Sequence, residues 1–305
     1  MYSDSCYTDD MTNHFAEAIV IFNPNSTGPS ERNAKRFAKR LERSGVAEDV
    51  KLLPTDHAGH AREIVAELSG RKGKYLVVAS SGDGGYNEVV NGAMDVLESG
   101  TNIVTSLLPS GNANDHYKAL HKPYVLRRIK NGTVRSIDVL RISGTVNGKP
   151  WKHFAHSYIG FGLSSEIGRE LNKADLNPVN ELIITAKAFV AFKPFTAKIN
   201  GKKQQYQSII VSNVGKMSKF LSLSKKAKVD DGVFEVITSE PTKAKMIAAL
   251  AKSATVGMPH ESQVRSYSFE AIDKLPVQCD GEVSTLDAGS KVRVTLLKHA
   301  LHCVV

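Results

Sequence analysis

The segment SSGDGGYNEVVNG, residues 80–92, directly follows the apolar run KYLVVA and places three glycines around Asp83. Glycine at such a position is costly unless another group must come close to the backbone. A glycine loop between a strand and a helix presents N–H groups and a helix N-terminus to phosphate. The segment therefore predicts a phosphate-binding loop, and an ordinary tight turn is the alternative. It lacks both the GK[ST] ending of a P-loop and the GxGxxG dinucleotide fingerprint.

Asp83 is the informative residue of this loop. A carboxylate beside phosphate is repulsive unless a cation or a hydrogen-bond donor lies nearby. A metal-bound nucleotide would supply that cation. The alternative is that Asp83 only caps the following turn.

Two further polar loops follow predicted strands. NPNSTGPS occupies residues 23–30 and offers hydroxyl groups, and LLPSGNANDHYKAL occupies residues 107–120 and is rich in turn-forming residues. Ligands of open α/β sheets bind at the carboxyl ends of the strands. Each loop alone is most simply a turn, but three at one sheet edge indicate a binding site.

Two acidic clusters lie in the second half of the chain. KVDDGVFEV contains Asp230, Asp231 and Gly232, and VQCDGEV contains Asp280, Gly281 and Glu282. An Asp-Gly pair between apolar strand residues is typical of a β-turn. By itself, neither cluster indicates a function.

The first part of the chain must position the three loops, and it alternates strand and helix patterns. The predicted strands are AIVIF, EDVKLLP, KYLVVAS and NIVTSLLP, and the predicted helices are ERNAKRFAKRLERSG, AREIVAELSG and NEVVNGAMDVLESG. This βαβαβαβ order predicts a mostly parallel sheet with helices on both faces.

After about Ile137 the pattern changes to strand-like segments. SIDVLRISG and VNGKPW predict a hairpin with an Asn147-Gly148 turn. Two helical patterns, residues 178–192 and 241–255, interrupt the later strands. The second half is therefore predicted to be an antiparallel, β-rich, sandwich-like domain packed against the first.

The formal net charge of +9 favours an anionic partner: a nucleotide, the anionic face of a membrane, or nucleic acid. Solubility alone would also explain it. Nucleic acid is disfavoured because no helix combines a basic stripe with interleaved aromatic residues. The three cysteines, Cys6, Cys279 and Cys303, have no metal-ligand spacing and indicate free thiols in a reducing cytoplasm.

No apolar run reaches the length of a transmembrane helix, and the polar N-terminus lacks signal-peptide features. Residues 1–14 are interpreted as a poorly ordered tail.

Taken together, NPNSTG, SGDGGYNEVVNG, LPSGNANDHYKAL, VDDGVFEV and CDGEV resemble, in order and spacing, the diacylglycerol kinase-type lipid kinases. That family includes bacterial soluble diacylglycerol kinases and the sphingosine and ceramide kinases. Its usual forms are NPxSG, GGDGTxNEVxNG, LPxGTxNDFAR, DDGxLDV and DGE. The GDG loop alone is shared with NAD kinases, and the other motifs narrow the match. The resemblance covers residues 16–305.

The resemblance implies a nucleotide-binding α/β domain over residues 15–137 and a β-rich lipid- and metal-binding domain over residues 138–296. Residues 297–305 would return to the first domain. It also implies transfer of the ATP γ-phosphate to a lipid hydroxyl with Mg²⁺ at an anionic membrane surface. Asp280 would be the general base, and the Asp231 side chain with the carbonyls of Lys228 and Val233 would hold Mg²⁺. The implied nucleotide contacts are Asn23, Thr55, Ser81, Gly82, Asp83, Gly84, Gly85, Tyr86, Asn87, Gly111, Asn112 and Glu282.

Three residues depart from the family pattern: Ser81 replaces the first glycine of GGDGT, Gly85 replaces its threonine, and Asn112 replaces the threonine of GTxND. Two hydroxyl groups expected near phosphate are thereby missing. We expect an active kinase of diacylglycerol or a related lipid alcohol, with a possible homodimer. An NAD kinase-type enzyme with a soluble substrate and a non-catalytic nucleotide or lipid sensor are the alternatives.

Two segments carry further expectations. SKKAKV, residues 224–229, could contact a membrane or form a solvated turn. Phe220 and Leu221 could line the pocket for the acceptor lipid, although packing in the core is the simpler interpretation.

Overall fold

The computed structural model describes residues 14–26, 28–111, 114–120, 123–166, 193–217, 221–224, 227–239 and 262–305. The predicted tail lies outside these ranges apart from residue 14, and so do the two predicted helices at 178–192 and 241–255. No helix in the described ranges has the length and apolar character needed to span a bilayer.

The first half alternates strands and helices, as predicted. Its elements are β1 Phe15–Phe22, α1 Ser30–Glu42, β2 Ala47–Pro54, α2 His60–Ala66, β3 Lys74–Ser81, α3 Asp83–Asp95, a 3₁₀ turn Leu97–Ser99, β4 Asn102–Pro109, α4 Asp115–Leu120 and α5 Val125–Lys130. β1 pairs in parallel with β2 and β3, and β3 pairs in parallel with β4. The predicted parallel sheet is confirmed.

One helix begins earlier than predicted. The pattern placed the start of α3 at Asn87, whereas the helix begins at Asp83 after an extended Gly82. Glycines at 84 and 85 are poor helix formers, but packing overrides their propensity because Tyr86, Val89 and Val90 are fully buried. The predicted glycine loop is thus mostly the first turn of a helix.

The second half consists of short strands in the described ranges. They are β5 Val134–Val146, β6 Lys149–Ala155, β7 Tyr158–Gly162, β8 Phe195–Ile199, β9 Lys202–Tyr206, β10 Ser208–Ser212, β11 Lys216–Met217, β12 Leu221–Ser222, β13 Phe234–Ser239, β14 Ser262–Val264, β15 Ser266–Ala271, β16 Leu275–Cys279, β17 Glu282–Leu286 and β18 Lys291–Val304. The β5–β6 turn has positive φ at Asn147 (52°) and Gly148 (72°), which confirms the predicted hairpin.

Within the described residues, the strands form a ten-stranded sheet, a six-stranded sheet and a small pair. The large sheet has the order β2-β1-β3-β4-β18-β15-β8-β9, with β5 also paired to β18 and to β6. The six-stranded sheet has the order β14-β13-β10-β7-β16-β17 and is antiparallel. The large sheet thus runs from one half of the chain into the other.

The long strand β18 joins the strands of the first half to those of the second half within the large sheet. Its last residues lie parallel to β4, with His302 opposite Val104, and it is antiparallel to β5 along most of its length. The expected domain boundary near residue 137 falls inside β5. The division into two domains stays a prediction, because the sheet itself has no break there.

Three apolar cores follow from this arrangement. One lies between α2, α3 and the first four strands and also contains Phe154 and Leu301 from the second half. Another lies on the opposite face of those strands, under α1 and α5. The third fills the space between the two large sheets. The α3 face therefore joins the two halves, whereas the α1 and α5 face forms the outer side of the molecule.

Candidate active site

The three loops predicted from the sequence meet at the carboxyl edge of the sheet. A Cβ on Gly28 would overlap the carbonyl oxygen of Ser110, and a Cβ on Gly111 would lie 2.5 Å from Gly82 Cα. No real Cβ tolerates such distances, so the loops after β1, β3 and β4 touch only because these residues are glycines.

Hydroxyl groups hold the same three loops together. Ser80 Oγ donates to the carbonyl of Ser30 at 2.8 Å, Ser30 Oγ donates back to the carbonyl of Ser80, and Asn33 Nδ2 donates to Ser110 Oγ at 3.2 Å. Ser30, Ser80 and Ser110 are buried. Several of these polar residues therefore bond to protein groups rather than face a ligand.

A cleft of about 340 Å³ opens beside the loops, at the ends of β1, β2 and β3. Four residues predicted to contact nucleotide line it: Asn23, Thr55, Ser81 and Gly85. The cleft also contains residues that the sequence analysis did not select, and these are Ile21, Phe22, Asn25, Asp56, His57, Ala58, Ala61, Ala79 and Glu88.

The three glycines of the GDGG segment differ in the protein atoms that a Cβ at each position would meet. Gly82 is needed for contact with Gly111, and a Cβ on Gly85 would lie 2.8 Å from Ser81 Cβ. A Cβ on Gly84 would meet only the carbonyl oxygen of Asp280, at an ordinary 3.8 Å. Packing against protein therefore explains Gly82 and Gly85, and Gly84 is the position left open to a ligand.

The departures at Ser81 and Gly85 depend on each other. The positions of the two Cβ atoms exclude one another, and Ser81 Oγ lies 3.0 Å from the place a Cβ of residue 85 would take. The family pattern has glycine at the first position and a hydroxyl residue at the second. This chain has the hydroxyl residue first and glycine second, so a hydroxyl group still lines the cleft from Ser81.

The side chains of Tyr86 and Asn87, both predicted nucleotide contacts, point into the protein interior. Both side chains are fully buried. The Tyr86 hydroxyl shares a 2.8 Å hydrogen bond with Thr105 Oγ1, and Asn87 Nδ2 donates to Asp280 and to the carbonyl of Phe154. Both side chains bond to other protein groups in the interior, because buried polar groups must be paired within the protein.

Asp280 lies in the turn between β16 and β17, with φ of 47°, and its side chain is fully buried. Its carboxylate accepts hydrogen bonds from the backbone N–H groups of His156 (2.6 Å), Ser157 (3.1 Å) and Tyr158 (2.8 Å), and from Asn87 Nδ2 (3.0 Å). Burial raises the pKa of Asp280 to about 7, although these four donors oppose the increase. Four hydrogen bonds thus fix the position of this carboxylate, and its pKa lies near neutral pH.

Two buried histidines lie beside this carboxylate. His156 Nε2 is 3.4 Å from Asp280 Oδ2, and the rings of His156 and His116 meet edge to face at 4.2 Å. Ser157 Oγ lies 2.8 Å from His156 Nδ1 and 3.5 Å from His116 Nδ1. Burial lowers the pKa of His156 to about 4, so its ring is neutral at pH 7.

Carboxylates also surround the cleft. Glu88 accepts the N–H groups of Gly59 (2.9 Å) and Ala61 (3.1 Å) at the start of α2, and burial followed by the charge of Glu282 raises its pKa. Asp83 Oδ1 accepts the N–H of His116, so it caps the start of α4, which is a different element from the following turn considered in the sequence analysis. A phosphate group in this cleft would need an accompanying cation.

The DDG turn is positioned by a residue that sequence reasoning missed. Asp138 is fully buried in β5 and accepts the N–H groups of Gly232 and of His299, each at 2.7 Å. Asp230 pairs with Arg135, whereas the exposed Asp231 accepts only the N–H of Val233 at 3.2 Å among the described contacts. Asp138 therefore fastens the turn to β18 and leaves Asp231 at the surface.

The donor set of this turn suits Mg²⁺, which takes one or two carboxylates, accepts other hard oxygen ligands and keeps several waters. The Asp231 carboxylate with the carbonyls of Lys228 and Val233 would supply such oxygens. The described residues contain no cluster of three or more histidine, cysteine, aspartate or glutamate side chains suited to a metal. A site here would thus rely on carbonyls and water.

Some predicted residues cannot be placed. Asn112, Phe220 and two lysines of SKKAKV, Lys225 and Lys226, lie outside the described residues. Gly82 and Gly111 lie where two loops touch, and Glu282 begins β17 directly after the Asp280-Gly281 turn, with its side chain 36% exposed.

The comparisons with known structures agree with this fold. The structure is similar to a putative diacylglycerol kinase from Bacillus anthracis, with a TM-score of 0.71, 20% identity, and coverage of 95% of this chain and 97% of that one. It is also similar to yeast NADH kinase complexed with NADH, with a TM-score of 0.55, 12% identity, and coverage of 96% and 84%. The architecture is therefore that of the diacylglycerol kinases and NAD kinases.

The sequence comparisons are more specific. Residues 17–142 match the model of the diacylglycerol kinase catalytic domain. A curated relative, diacylglycerol kinase from Staphylococcus haemolyticus, is 23% identical over 282 residues, covering 87% of this chain and 82% of the relative. The chain is thus similar to the diacylglycerol kinases, over the catalytic-domain segment 17–142 and, in the curated relative, over most of its length. This similarity supports a kinase that uses ATP.

The sequence analysis did not select His57, Glu88, Asp138, His153 or His156. His57 and Glu88 could have been found from their place, because one follows the end of β2 and the other lies one turn into α3. The buried Asp138, His153 and His156 gave no local signal, since a single polar residue in a strand pattern is usually exposed.

The exclusion between Ser81 and Gly85 can be measured. We expect Gly85→Ala to destabilise the protein by about 1–3 kcal/mol, because the new Cβ overlaps Ser81 Cβ. Adding Ser81→Gly should remove most of this cost. Chemical denaturation of the wild type, both single variants and the double variant gives the coupling. Additive effects would contradict the exclusion.

The lowered pKa of His156 predicts a pH dependence of stability. Between about pH 6.5 and pH 4, His156 is protonated in the unfolded chain but neutral in the folded protein. The free energy of unfolding therefore decreases as the pH falls through this range. Asp280, with its raised pKa, contributes in the opposite direction over a similar range.

We therefore expect His156→Gln to lose less stability than the wild type between pH 7 and pH 4.5, with a difference on the order of 2 kcal/mol. Urea denaturation at several pH values measures it. Parallel curves for the two proteins would show that His156 is protonated in the folded state.

Proposed function

We propose that the protein is an ATP-dependent lipid kinase that phosphorylates the hydroxyl of diacylglycerol or a related lipid alcohol, giving phosphatidic acid or the analogous phospholipid. The proposal rests on the similarity to diacylglycerol kinases and on one observation of geometry. A Cβ on Gly84 would lie 3.8 Å from the carbonyl oxygen of Asp280, so the candidate phosphate loop touches the turn that carries the candidate base.

ATP would occupy the cleft that Ser81 and Gly85 line, with its phosphate chain directed toward the neighbouring Gly84. Backbone N–H groups at the start of α3, the partial positive charge of that helix end and the Ser81 hydroxyl suit a phosphate chain. Asn23, Thr55 and His57 line the same cleft. The exposed His57 has a raised pKa, mainly through the carbonyl of Ala58, and its protonated form would favour an anionic ligand.

Mg²⁺ would accompany the nucleotide. Glu88, Glu282 and Asp83 place negative charge around the cleft, and a divalent cation would offset their repulsion of phosphate. The Asp231 turn would hold a second, structural Mg²⁺ through the hard oxygen donors named above. Positioning and charge neutralisation supply most of the catalysis in phosphoryl transfer.

Asp280 is proposed as the group that takes the hydroxyl proton. A base with a pKa near the working pH is the most effective, and burial brings the Asp280 pKa to about 7. All four of its hydrogen-bond donors belong to the protein, so the hydroxyl of the substrate must replace one of them. Glu282, two residues further along and partly exposed, is the alternative proton acceptor.

An anionic membrane surface is the proposed partner. The outer face of α1 exposes five basic side chains, Arg32, Lys35, Arg36, Lys39 and Arg40, and the residue that follows the helix, Arg43, exposes a sixth. Basic residues near an anionic leaflet each contribute about 1 kcal/mol to binding. The residues exposed on this helix include no aromatic side chain, which favours a membrane over nucleic acid.

A test of nucleotide binding uses Gly84→Ala. Its Cβ meets no protein atom closer than 3.8 Å, and alanine is the better helix former by about 1 kcal/mol. We therefore expect unchanged or higher stability but at least about tenfold weaker ATP binding, because the Cβ occupies the space proposed for phosphate. Calorimetric titration measures the affinity. Wild-type affinity in this variant would place the phosphates elsewhere.

The reaction is tested by transfer of radiolabelled γ-phosphate from ATP to diacylglycerol with Mg²⁺, in neutral mixed micelles and in anionic vesicles. We expect labelled phosphatidic acid, more of it in anionic vesicles, and an activity that rises with pH through about 7 as Asp280 ionises. Asp280→Asn should lower the rate by about 10²- to 10⁴-fold, and Glu282→Gln by less than about tenfold.

Other outcomes have distinct meanings. A pH limb in the ordinary carboxylate range, with Glu282→Gln the inactive variant, would assign the proton to Glu282. Phosphorylation of NAD without lipid would favour the alternative shared with the NADH kinase fold. Thermal unfolding of each variant separates loss of activity from loss of the fold, since Asp280 also anchors backbone groups.

A further inference from the structure

A continuous set of hydrogen bonds joins the two acidic residues of the CDGE segment beneath the cleft. Asp280 Oδ2 accepts from Asn87 Nδ2 at 3.0 Å, and Asn87 Oδ1 lies 3.0 Å from His153 Nε2. The same His153 nitrogen lies 3.2 Å from Glu282 Oε2. The order is therefore Asp280, Asn87, His153, Glu282, and the two carboxylates are linked by side chains of α3 and β6.

The neighbouring bonds determine the direction of each amide group. Asn91 Oδ1 accepts the N–H of Phe154 at 3.0 Å, so the other end of that amide, Nδ2, is the donor to Asn87 Oδ1 at 2.9 Å. Asn87 must then present its own Nδ2 to Asp280 and to the carbonyl of Phe154. Reversing either amide would place like groups together.

The same logic determines the protonation of one histidine nitrogen. His153 Nε2 faces an amide oxygen and a carboxylate oxygen, both of which only accept hydrogen bonds, so Nε2 carries a proton. Its ring stacks on Trp151 with a centroid separation of 5.6 Å and an interplanar angle of 6°, and the side chain is only 8% exposed. The ring therefore has one position and one donor direction.

We infer that His153 is a positioning residue: together with Asn91, its Nε2–H holds the orientation of Asn87 toward Asp280, and it also holds the Glu282 carboxylate. The inference rests on the proposed function, because it assigns His153 a part in the phosphoryl transfer proposed above. His153 itself touches neither substrate nor nucleotide in this assignment.

Removing the Nε2–H has a definite physical result. Asn87 Oδ1 would keep only Asn91 as a donor, so the amide would hold its direction less firmly. Whenever the Asn87 amide turns away, the ionised Asp280 carboxylate loses one hydrogen-bond donor, and this loss raises the pKa of Asp280 further. Glu282 would lose a partner at the same time, so both carboxylates would be less well placed.

Other charges face this group and enter any pH analysis. Glu88 of α3 interacts with Glu282 through its charge, the His156 ring of the β6–β7 connection lies beside Asp280, and Lys152 precedes His153 on β6. None of these is altered by substitution of His153, so a shift in the pH profile would report on Asn87 and the two carboxylates of the CDGE segment.

The test compares His153→Ala with His153→Gln, whose side-chain amide retains an N–H donor. His302→Gln is the matched control, because His302 is a part-buried histidine whose ring bonds to Ser136 Oγ at 2.9 Å and takes no part in the set of hydrogen bonds described above. The readouts are kcat, KM for ATP and the pH profile on diacylglycerol micelles. The side-chain amide resonance of Asn87 in the protein without ligands is a further readout that needs no turnover.

For His153→Ala we expect kcat to fall about ten- to a hundredfold with KM for ATP within about threefold. The acid limb should move to higher pH and the Asn87 amide resonance should shift. His153→Gln should recover most of the rate, and His302→Gln should resemble the wild type.

Two results would overturn the inference. One is a wild-type rate and acid limb in His153→Ala while the wild type phosphorylates lipid, which leaves the proposed function intact. The other is an unchanged Asn87 resonance in His153→Ala, which would overturn it even if no lipid kinase activity is found. Absence of activity in the wild type would instead count against the proposed function.

Discussion

The Asp280 carboxylate is the interaction on which the arrangement of the site depends. It accepts the N–H groups of three consecutive residues, 156–158, and the amide of Asn87, so it joins the β16–β17 turn, the β6–β7 connection and α3 at one buried point. A buried carboxylate is costly unless its oxygens are paired, and here four donors pair them. Three of these donors belong to the second half of the chain and one, Asn87, to the first, so this carboxylate connects the two halves.

The loops after β1, β3 and β4 also depend on contacts between protein groups. At the edge of the sheet, Gly28, Gly82 and Gly111 let three backbone segments touch, and Ser30, Ser80 and Ser110 bond those segments together. The glycines first suggested close approach of a ligand, but most of them serve close approach of protein to protein. The groups left free of such packing, Gly84, the Ser81 hydroxyl and the part-exposed Glu282, are the ones that the proposed function assigns to ligands.

Local patterns in the sequence predicted much of the fold. Apolar runs located the four parallel strands, and Asn147-Gly148 located a hairpin, because both signals involve neighbouring residues. The position of β18 beside β4 had little local signal, since Thr105 and His302, which share a hydrogen bond, are 197 residues apart. The burial of Tyr86, Asn87 and His153 was also missed, because polar residues in an amphipathic pattern normally face water. The motifs thus located the site, whereas its inner partners required the tertiary structure.

The place of β18 has a consequence for how the protein is made. Synthesis proceeds from the N-terminus, and the edge of β4 gains its neighbour only when His302 and Cys303 of β18 are available. Until then the nascent chain carries a strand edge with unpaired backbone groups, the kind of surface that associates with other chains. The parallel sheet formed by the first strands is therefore covered at this edge only after β18 has left the ribosome.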